Sequence, residues 1–254
     1  MDSVVISLIV SLVINITMFV IAFRLQSDKL TDASYAVTFL TLTVFGFIIS
    51  DGSAYHVLLA TMLAVWAFRL GGFLLYRVIR AGKDRRFDGM RENFVKFGTF
   101  WLIQAVSVWV LMIPSVLAFE LQVGLAPLAV LGVLIWLVGF LVESVADAQK
   151  NSFTSNKANR GKWIESGMWK YSRHPNYFGE ILVWLGVYVY ATASFSPALA
   201  VLASVSPLFI TVLLLFVSGI PILEKAADKR WGKNTAYQAY KKRTSILLPL
   251  PPRT

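Results

Sequence analysis

Long apolar stretches constrain this chain more than any other feature of its sequence. A helix needs about 20 mostly apolar residues to cross a bilayer, and the sequence offers seven candidate stretches. They cover residues 4–23, 36–50, 57–76, 97–119, 125–145, 178–193 and 199–220. Of the 254 residues, 57% are hydrophobic and 15% charged, whereas soluble domains carry about 25% charged residues. The sequence therefore predicts an all-α, polytopic membrane helical bundle of about seven transmembrane helices, forming one membrane domain over residues 1–254.

The basic residues lie almost entirely on one side of these predicted spans. If the connections alternate between two sides, 23 of the 24 Lys and Arg residues fall within residues 24–34, 77–96, 146–177 and 221–254. The remaining one, Arg69, lies inside a span. By the positive-inside rule this side is cytoplasmic, which places the N-terminus outside and the C-terminus in the cytoplasm. Because membrane orientation explains the net charge of +10, we expect no nucleic-acid partner.

Cysteine and histidine content limits the chemistry. The chain has no cysteine and two histidines, so it has no disulfide framework and no thiol nucleophile. Zinc sites are built mainly from cysteine and histidine, and we expect no metal site. His56 lies on the predicted outer side and is interpreted as structural.

Charged residues also occur within or beside the predicted spans, where they are rare and usually functional or paired. These residues are Arg69, Glu143, Asp147 and Glu180. Two interpretations stay open at this point. The charges form ion pairs that hold the helices together, or they line a polar cavity that opens to the cytoplasm.

Two predicted cytoplasmic loops favour the cavity. Residues 77–96 are strongly basic, and residues 147–180 combine basic groups with many aromatic side chains. Arg and Lys donate hydrogen bonds to phosphate, and aromatic faces can stack on a flat heterocycle. These loops suit a nucleotide-type cofactor, although the chain contains neither a GxGxxG motif nor a phosphate-binding P-loop. Pro175 suits the first turn of a helix, which would place Arg173, His174 and Asn176 at a helix N-terminus that favours anions.

Residues 171–180 read YSRHPNYFGE, and this stretch resembles the signature of bacterial membrane proteins related to the steroid 5-alpha-reductases. Residues 66–71 (WAFRLG), 83–87 (KDRRF) and 147–150 (DAQK) support the resemblance, which is strongest over about residues 143–250. The RHPxY core alone is less specific, because isoprenylcysteine and phospholipid methyltransferases share it.

The resemblance implies a seven-helix membrane enzyme that binds NADPH from the cytoplasmic side and delivers hydride to the carbon–carbon double bond of an enone. It places the reductase-like region at approximately residues 97–254 and suggests a bacterial inner membrane. The substrate would be a lipophilic molecule entering from the bilayer. The predicted cofactor-binding residues are Arg80, Arg85, Arg86, Asp147, Tyr171, Arg173, His174, Asn176, Tyr177, Glu180 and Tyr240.

The predicted catalytic residues depart from the family pattern. The steroid enzymes use a Glu and a Tyr to polarise the substrate carbonyl, but the second span here has no Glu, and Trp66 stands near the expected Tyr. Asp32 and Tyr35 resemble an Asp-x-x-aromatic element and are the predicted catalytic pair, which could stabilise an enolate oxygen. Alternatively, Asp32 only caps its helix.

Two other functions stay open. The first is a methyltransferase that uses S-adenosylmethionine on a lipid or isoprenylated acceptor. The second is a non-enzyme such as a receptor, a transporter or a membrane scaffold. Binding of NADPH or of the methyl donor would separate the three.

Overall fold

A computed structural model of the chain describes residues 2–81, 87–121 and 126–253, excluding the side chains of residues 79–81. The helices are α1 (Asp2–Arg24), α2 (Lys29–Ile49), α3 (Ala54–Ala81), α4 (Phe94–Phe119), α5 (Pro127–Ser155), α6 (Pro175–Thr192), α7 (Pro197–Ala203), α8 (Val205–Val212), α9 (Ile220–Trp231) and α10 (Thr235–Arg243). Within the described ranges there is no β-strand, and one isolated bridge joins Ser172 to Ser245. The predicted all-α class is confirmed.

Six helical stretches in the described part of the chain are long and apolar enough to cross a membrane. Five belong to α1 to α5, and the sixth, Pro197–Trp231, includes α7, α8 and α9. The protein is therefore a multi-pass membrane protein, with six such stretches where the sequence predicts about seven. The predicted span at residues 178–193 does form a helix, α6. It is not among the six, because Asn176 and Glu180 make its first turns polar. The orientation of the termini stays a prediction.

Two helices continue beyond the bilayer-crossing segments that the sequence predicts. Helix α5 runs to Ser155, ten residues past the predicted end at residue 145. Asp147 and Lys150 therefore stand on a helix. Helix α3 continues through Arg77 to Ala81. Apolar patterning marks only the lipid-facing part of a helix, whereas these extensions are polar and contain no proline to end them.

The chain divides into two compact units. Unit 1 comprises Met1–Val130 and Val187–Ser206, and unit 2 comprises Leu131–Gly186 and Pro207–Thr254. In unit 1, α1 packs on α2 and α4, and α2 packs on α3 and α4. Helix α4 is the most buried of these helices.

Buried polar side chains join the helices of unit 1. The Gln104 side-chain amide donates to Asn15 Oδ1 at 3.0 Å and to Ser34 Oγ at 2.8 Å. The Asn15 amide donates in turn to Thr38 Oγ1 at 3.1 Å. Such bonds connect membrane helices where lipid offers polar groups no other partner.

In unit 2, glycine residues bring α5 and α6 into close contact. A Cβ atom at Gly179 would lie 2.5 Å from the backbone nitrogen of Glu143, and one at Gly139 would lie 2.6 Å from that of Val183. Small residues allow membrane helices to approach at this distance. The contact fixes the position of the first turns of α6, which carry the signature motif.

The last apolar stretch is not one regular helix. A π-helical turn, Leu213–Val217, follows α8, and α9 begins after Gly219 with Pro221 in its first turn. A side chain at Gly219 would lie 2.5 Å from the Leu214 carbonyl oxygen and 3.0 Å from the Tyr177 ring. The absence of a side chain there lets Tyr177 approach the break, and α9 starts in a new register.

Candidate functional site

The signature motif forms a fixed loop that leads into α6. Pro175 is the first residue of the helix, a position that suits proline because its φ angle is fixed and no N–H is needed. The Arg173 backbone N–H donates to the Ser245 carbonyl at 2.8 Å, and the His174 N–H donates to Ser172 Oγ at 3.1 Å. The C-terminal segment therefore holds Arg173 and His174 in place.

Five charged or titratable side chains of unit 2 meet here, and we name Arg173, His174, Glu224, Asp228 and Lys241 the charge cluster. Glu224 Oε2 lies 3.2 Å from Arg173 Nη2 and 3.1 Å from Lys241 Nζ, and Glu224 Oε1 lies 3.0 Å from His174 Nε2. Lys241 Nζ also lies 2.7 Å from Asp228 Oδ1. One carboxylate thus joins the α6 loop, α9 and α10.

The environment sets the protonation states in the cluster. Burial lowers the pKa of His174 below its ordinary value, outweighing the hydrogen bond and charge of Glu224, which act to raise it. At neutral pH the imidazole is therefore neutral, with its proton on Nε2 and donated to Glu224. His174 Nδ1 is then an acceptor, and it has no hydrogen-bond partner in the described part of the chain. For Lys241, desolvation opposes the charge, but hydrogen bonds to Asp228 and Glu224 raise its pKa.

A cavity of about 290 Å³ lies beside the charge cluster within unit 2. Its walls combine cationic groups, aromatic rings and members of the cluster. The lining includes Lys150, Lys162, Trp163, Trp169, Arg173, His174, Glu224, Arg230, Trp231, Tyr237 and Tyr240. Such a cavity can accept a ligand that is both anionic and flat.

Three aromatic rings make up one wall of the cavity. The ring centroid of Trp163 lies 5.3 Å from that of Tyr237 and 6.2 Å from that of Trp231. The Arg230 guanidinium lies 4.7 Å above the Trp231 ring. The Tyr240 hydroxyl donates to the Trp169 carbonyl at 2.9 Å. Burial raises the pKa of Tyr240, so this phenol stays protonated.

Two buried N–H donors also lie at the cavity. Neither Trp163 Nε1 nor Arg173 Nε has a hydrogen-bond partner among residues 2–81, 87–121 and 126–253. Buried donors usually have partners, so these two N–H groups, together with the acceptor His174 Nδ1, suit a polar ligand. The donors, the cations and the flat rings could bind a ligand that is polar, anionic and flat.

Residues 18–244 match the family described as "Protein of unknown function (DUF1295)", which is most of the chain. The chain belongs to the DUF1295 family. No curated protein and no solved structure matches it. The matched region of this DUF1295 protein contains every residue that lines the cavity.

The structure brings several predicted residues together. Arg173, His174 and Tyr240 line the cavity of the DUF1295 protein, and the Tyr177 ring stacks on the His174 ring with centroids 5.7 Å apart. Outside this group, the Asn176 amide donates to Asp147 Oδ1 at 3.2 Å. That bond links the first turn of α6 to α5.

Other predicted cofactor residues lie elsewhere. Tyr171 is 42% exposed and lines a separate open groove with Lys170 and Pro249. Glu180 follows Asn176 by one turn on α6. Arg85 and Arg86 lie outside the described residues, and so does the Arg80 side chain.

The predicted catalytic pair lies in unit 1 on α2. Asp32 Oδ2 is 3.5 Å from Arg77 Nη2, and the Tyr35 ring meets Phe39 edge to face at 4.9 Å. The N-cap position of α2 belongs to Asp28, so Asp32 is a first-turn residue with a cationic partner.

Of the site residues on α9 and α10, only Tyr240 was predicted from the sequence. Residues 221–254 were otherwise interpreted mainly as a basic tail, whereas Glu224 contacts three other members of the charge cluster, and Trp231 and Tyr237 join Trp163 in the aromatic wall. One signal was present. Glu224 and Asp228 are acids four residues apart within a basic segment, and this spacing places them on one helix face.

Proposed function

We propose that this protein is a membrane-embedded oxidoreductase that transfers a hydride from NADPH to a carbon–carbon double bond of a lipophilic enone. The observation that carries the proposal is the unit 2 cavity, which combines four cationic side chains with an aromatic wall. The resemblance of residues 171–180 to the steroid 5-alpha-reductase relatives supports the same chemistry. A bacterial inner membrane is part of this proposal.

Charge favours NADPH over the alternative cofactor. S-adenosylmethionine carries a sulfonium cation, whereas NADPH carries several phosphate charges. The cavity is lined by Lys150, Lys162, Arg173 and Arg230, and the one acid among its described lining residues, Glu224, is already neutralised by Arg173 and Lys241. An anion is therefore the better electrostatic match, and a methyltransferase is the weaker candidate.

We assign a separate role to each kind of side chain that lines the cavity. Lys150 and Arg230 bind phosphate oxygens, and the N–H groups of Arg173 Nε and Trp163 Nε1 donate hydrogen bonds to the ligand. The aromatic wall stacks on a heterocycle. His174 Nδ1 accepts a hydrogen bond from a hydroxyl or amide group. Bound NADPH supplies the hydride.

The residues proposed to act on the substrate lie on α2. The resemblance assigns the polarisation of the enone carbonyl to Asp32 and Tyr35. Asp32 Oδ2 lies 3.5 Å from Arg77 Nη2. The Tyr35 phenol can donate a hydrogen bond to a carbonyl oxygen, so Tyr35→Phe would lower the reduction rate more than NADPH affinity.

Ligand-induced stabilisation tests the cofactor assignment. The purified protein is heated with NADPH, NADH or S-adenosylmethionine, and the shift in Tm is measured. At a concentration one hundred times Kd, a bound ligand stabilises the folded state by about 2.7 kcal/mol. We expect NADPH to raise the Tm, and Arg230→Gln to reduce that rise.

Lys157→Gln is the matched control, because Lys157 is an exposed cation of the same unit that does not line the cavity. A Tm rise with S-adenosylmethionine alone would reverse the ranking of the two cofactors. No rise with any of the three ligands would contradict both enzyme assignments and favour a non-enzymatic role.

A further inference from the structure

The segment formed by residues 245–250 exposes large aliphatic side chains. Ile246 is 44% exposed, Leu248 51% and Leu250 48%. These residues follow α10 and lie outside the apolar stretches that are long enough to cross a membrane. Their exposure is therefore not explained by a membrane-spanning helix.

The backbone of this segment is fixed to the loop that precedes α6. The Arg173 N–H donates to the Ser245 carbonyl at 2.8 Å, and the Leu250 N–H donates to the Tyr171 carbonyl at 3.2 Å. Between these two bonds, Ser172 Oγ donates to the Leu247 carbonyl at 2.7 Å. Three bonds within six residues hold the segment in one conformation, so the aliphatic side chains are presented on the surface rather than carried by a loose tail.

Cations precede and follow the exposed aliphatic groups along the chain. Residues 241–253 contain Lys241, Lys242, Arg243 and Arg253 and no acidic residue. Lys241 is paired with Glu224 and Asp228, and Arg243 with Glu165, so Lys242 and Arg253 are the cations considered for lipid binding. The Arg253 N–H donates to the Arg243 carbonyl at 2.8 Å, which turns the end of the segment back to α10. Lys170 adds a further cation, with its Nζ 5.8 Å from the centroid of the Tyr171 ring.

We propose that residues 245–250 form an interfacial anchor that binds a membrane surface containing anionic lipid. Ile246, Leu248 and Leu250 enter the boundary between headgroups and acyl chains, and Lys242 and Arg253 contact anionic headgroups. Segments that lie in the membrane interface combine apolar and basic residues in this way.

The charge of the surface favours a bilayer over a second copy of the chain. Two copies meeting through this segment would bring like charges together, which disfavours association. An anionic leaflet offers both an apolar layer for the aliphatic side chains and opposite charge for the cations.

The absence of native cysteine allows a site-specific test in the full-length protein. Leu248→Cys carries an environment-sensitive fluorophore, and the protein is placed in nanodiscs of phosphatidylcholine with or without phosphatidylglycerol. Quenching is measured with aqueous iodide and with a lipid-attached nitroxide. Ala158→Cys, at an exposed position in a short 3-10 helix of the same unit, serves as the reference.

In nanodiscs with phosphatidylglycerol, we expect the label at position 248 to emit at shorter wavelength and to be quenched by the lipid nitroxide. Iodide quenching at 248 is expected to be several-fold weaker than at 158. Combining Lys242→Gln with Arg253→Gln should remove the effect of phosphatidylglycerol without lowering the Tm.

Iodide quenching at position 248 as strong as at position 158 would overturn the anchor. Protection from iodide without quenching by the lipid nitroxide would also overturn it, and would indicate a protein contact. If that protection is lost at one protein per nanodisc, the contact is with a second copy.

Discussion

Among the side chains of the charge cluster, Glu224 has the most partners. Its carboxylate lies within 3.2 Å of polar atoms from Arg173, His174 and Lys241, and its side chain is only 16% exposed. When one member of a largely buried group of charges is removed, the remaining members lose the opposite charge that stabilises them. The loss in the free energy of unfolding then exceeds that of one missing contact. Glu224 therefore positions Arg173 and His174 beside the cavity.

Glu224→Gln keeps the size of the side chain and removes its charge. We expect the free energy of unfolding to fall by about 2 kcal/mol, the cost typical of losing hydrogen bonds to a charged group. Thermal unfolding of the purified protein measures the change. Glu165→Gln is the matched control, because the Glu165–Arg243 pair is about half exposed and such pairs contribute about 0–1 kcal/mol. Equal effects of the two substitutions would contradict the role of Glu224.

The pKa of His174 predicts how stability depends on pH. Burial lowers the folded-state pKa of His174 below the ordinary value of 6.5. At a pH between the folded-state pKa and the ordinary value, this histidine therefore binds a proton in the unfolded chain but stays neutral in the folded protein. Stability falls as the pH drops below about 6.5 and continues to fall until the lowered folded-state pKa is passed. Glu224 faces the ring as an anion, while Arg173 and Lys150 act on it as cations.

The Tm is measured between about pH 7.5 and about pH 5.5, the range in which histidine titrates. We expect His174→Gln to reduce the loss of Tm over this range, since glutamine does not titrate. The unmodified protein, measured over the same range, gives the reference loss. An unchanged loss in His174→Gln would show that the pH dependence comes from other groups.

Two members of the charge cluster could be predicted from the sequence. Arg173 and His174 lie in a recognisable motif beside a proline, and the structure places both at the cavity. Glu224 lies 50 residues from His174 along the chain, and nothing local marks it as their partner. That pairing depends on where the break at Gly219 directs α9, which is a tertiary feature.

Among the helix contacts, the one between α5 and α6 determines where the signature motif lies. Gly179 belongs to the predicted cofactor motif, and the structure gives it a packing role against the backbone of Glu143. Both helices were predicted from their apolar residues, but the extension of α5 to Ser155 was not. Apolar periodicity indicates which residues face lipid and leaves the polar end of a helix undefined.

Gly179→Ala places a methyl group 2.5 Å from the Glu143 nitrogen, a distance that forces the helices apart. We expect destabilisation of about 1–3 kcal/mol, as for other overpacked positions, measured by thermal unfolding. Gly72→Ala is the control, because a Cβ atom there meets nothing within 4 Å and alanine is the better helix former. If Gly179→Ala is as stable as Gly72→Ala, the close contact is not required.

For the chain as a whole, the sequence predicts the membrane class correctly, because its composition and the length of its apolar stretches are untypical of a soluble fold. The division into two compact units was not predicted. It depends on long-range packing, with α5 beginning in unit 1 and continuing in unit 2. Local sequence patterns therefore predicted the helices but not which helices belong to the same compact unit.

The charge distribution predicts a topology that cysteine labelling can test. Ala198→Cys lies in a predicted outer connection and Ala158→Cys in a predicted cytoplasmic one, and both positions are exposed. In intact cells we expect an impermeant maleimide to label position 198, and to label position 158 only after permeabilisation. Labelling of both positions in intact cells would contradict the predicted orientation.

The bonds between residues 245–250 and the loop before α6 have a consequence for biosynthesis. The Arg173 N–H and the Ser172 hydroxyl find their acceptors in a stretch that leaves the ribosome more than 70 residues later. Helix insertion into the membrane can therefore run ahead of site assembly. A nascent chain arrested before α9 would be embedded in lipid yet would lack the charge cluster and the cavity.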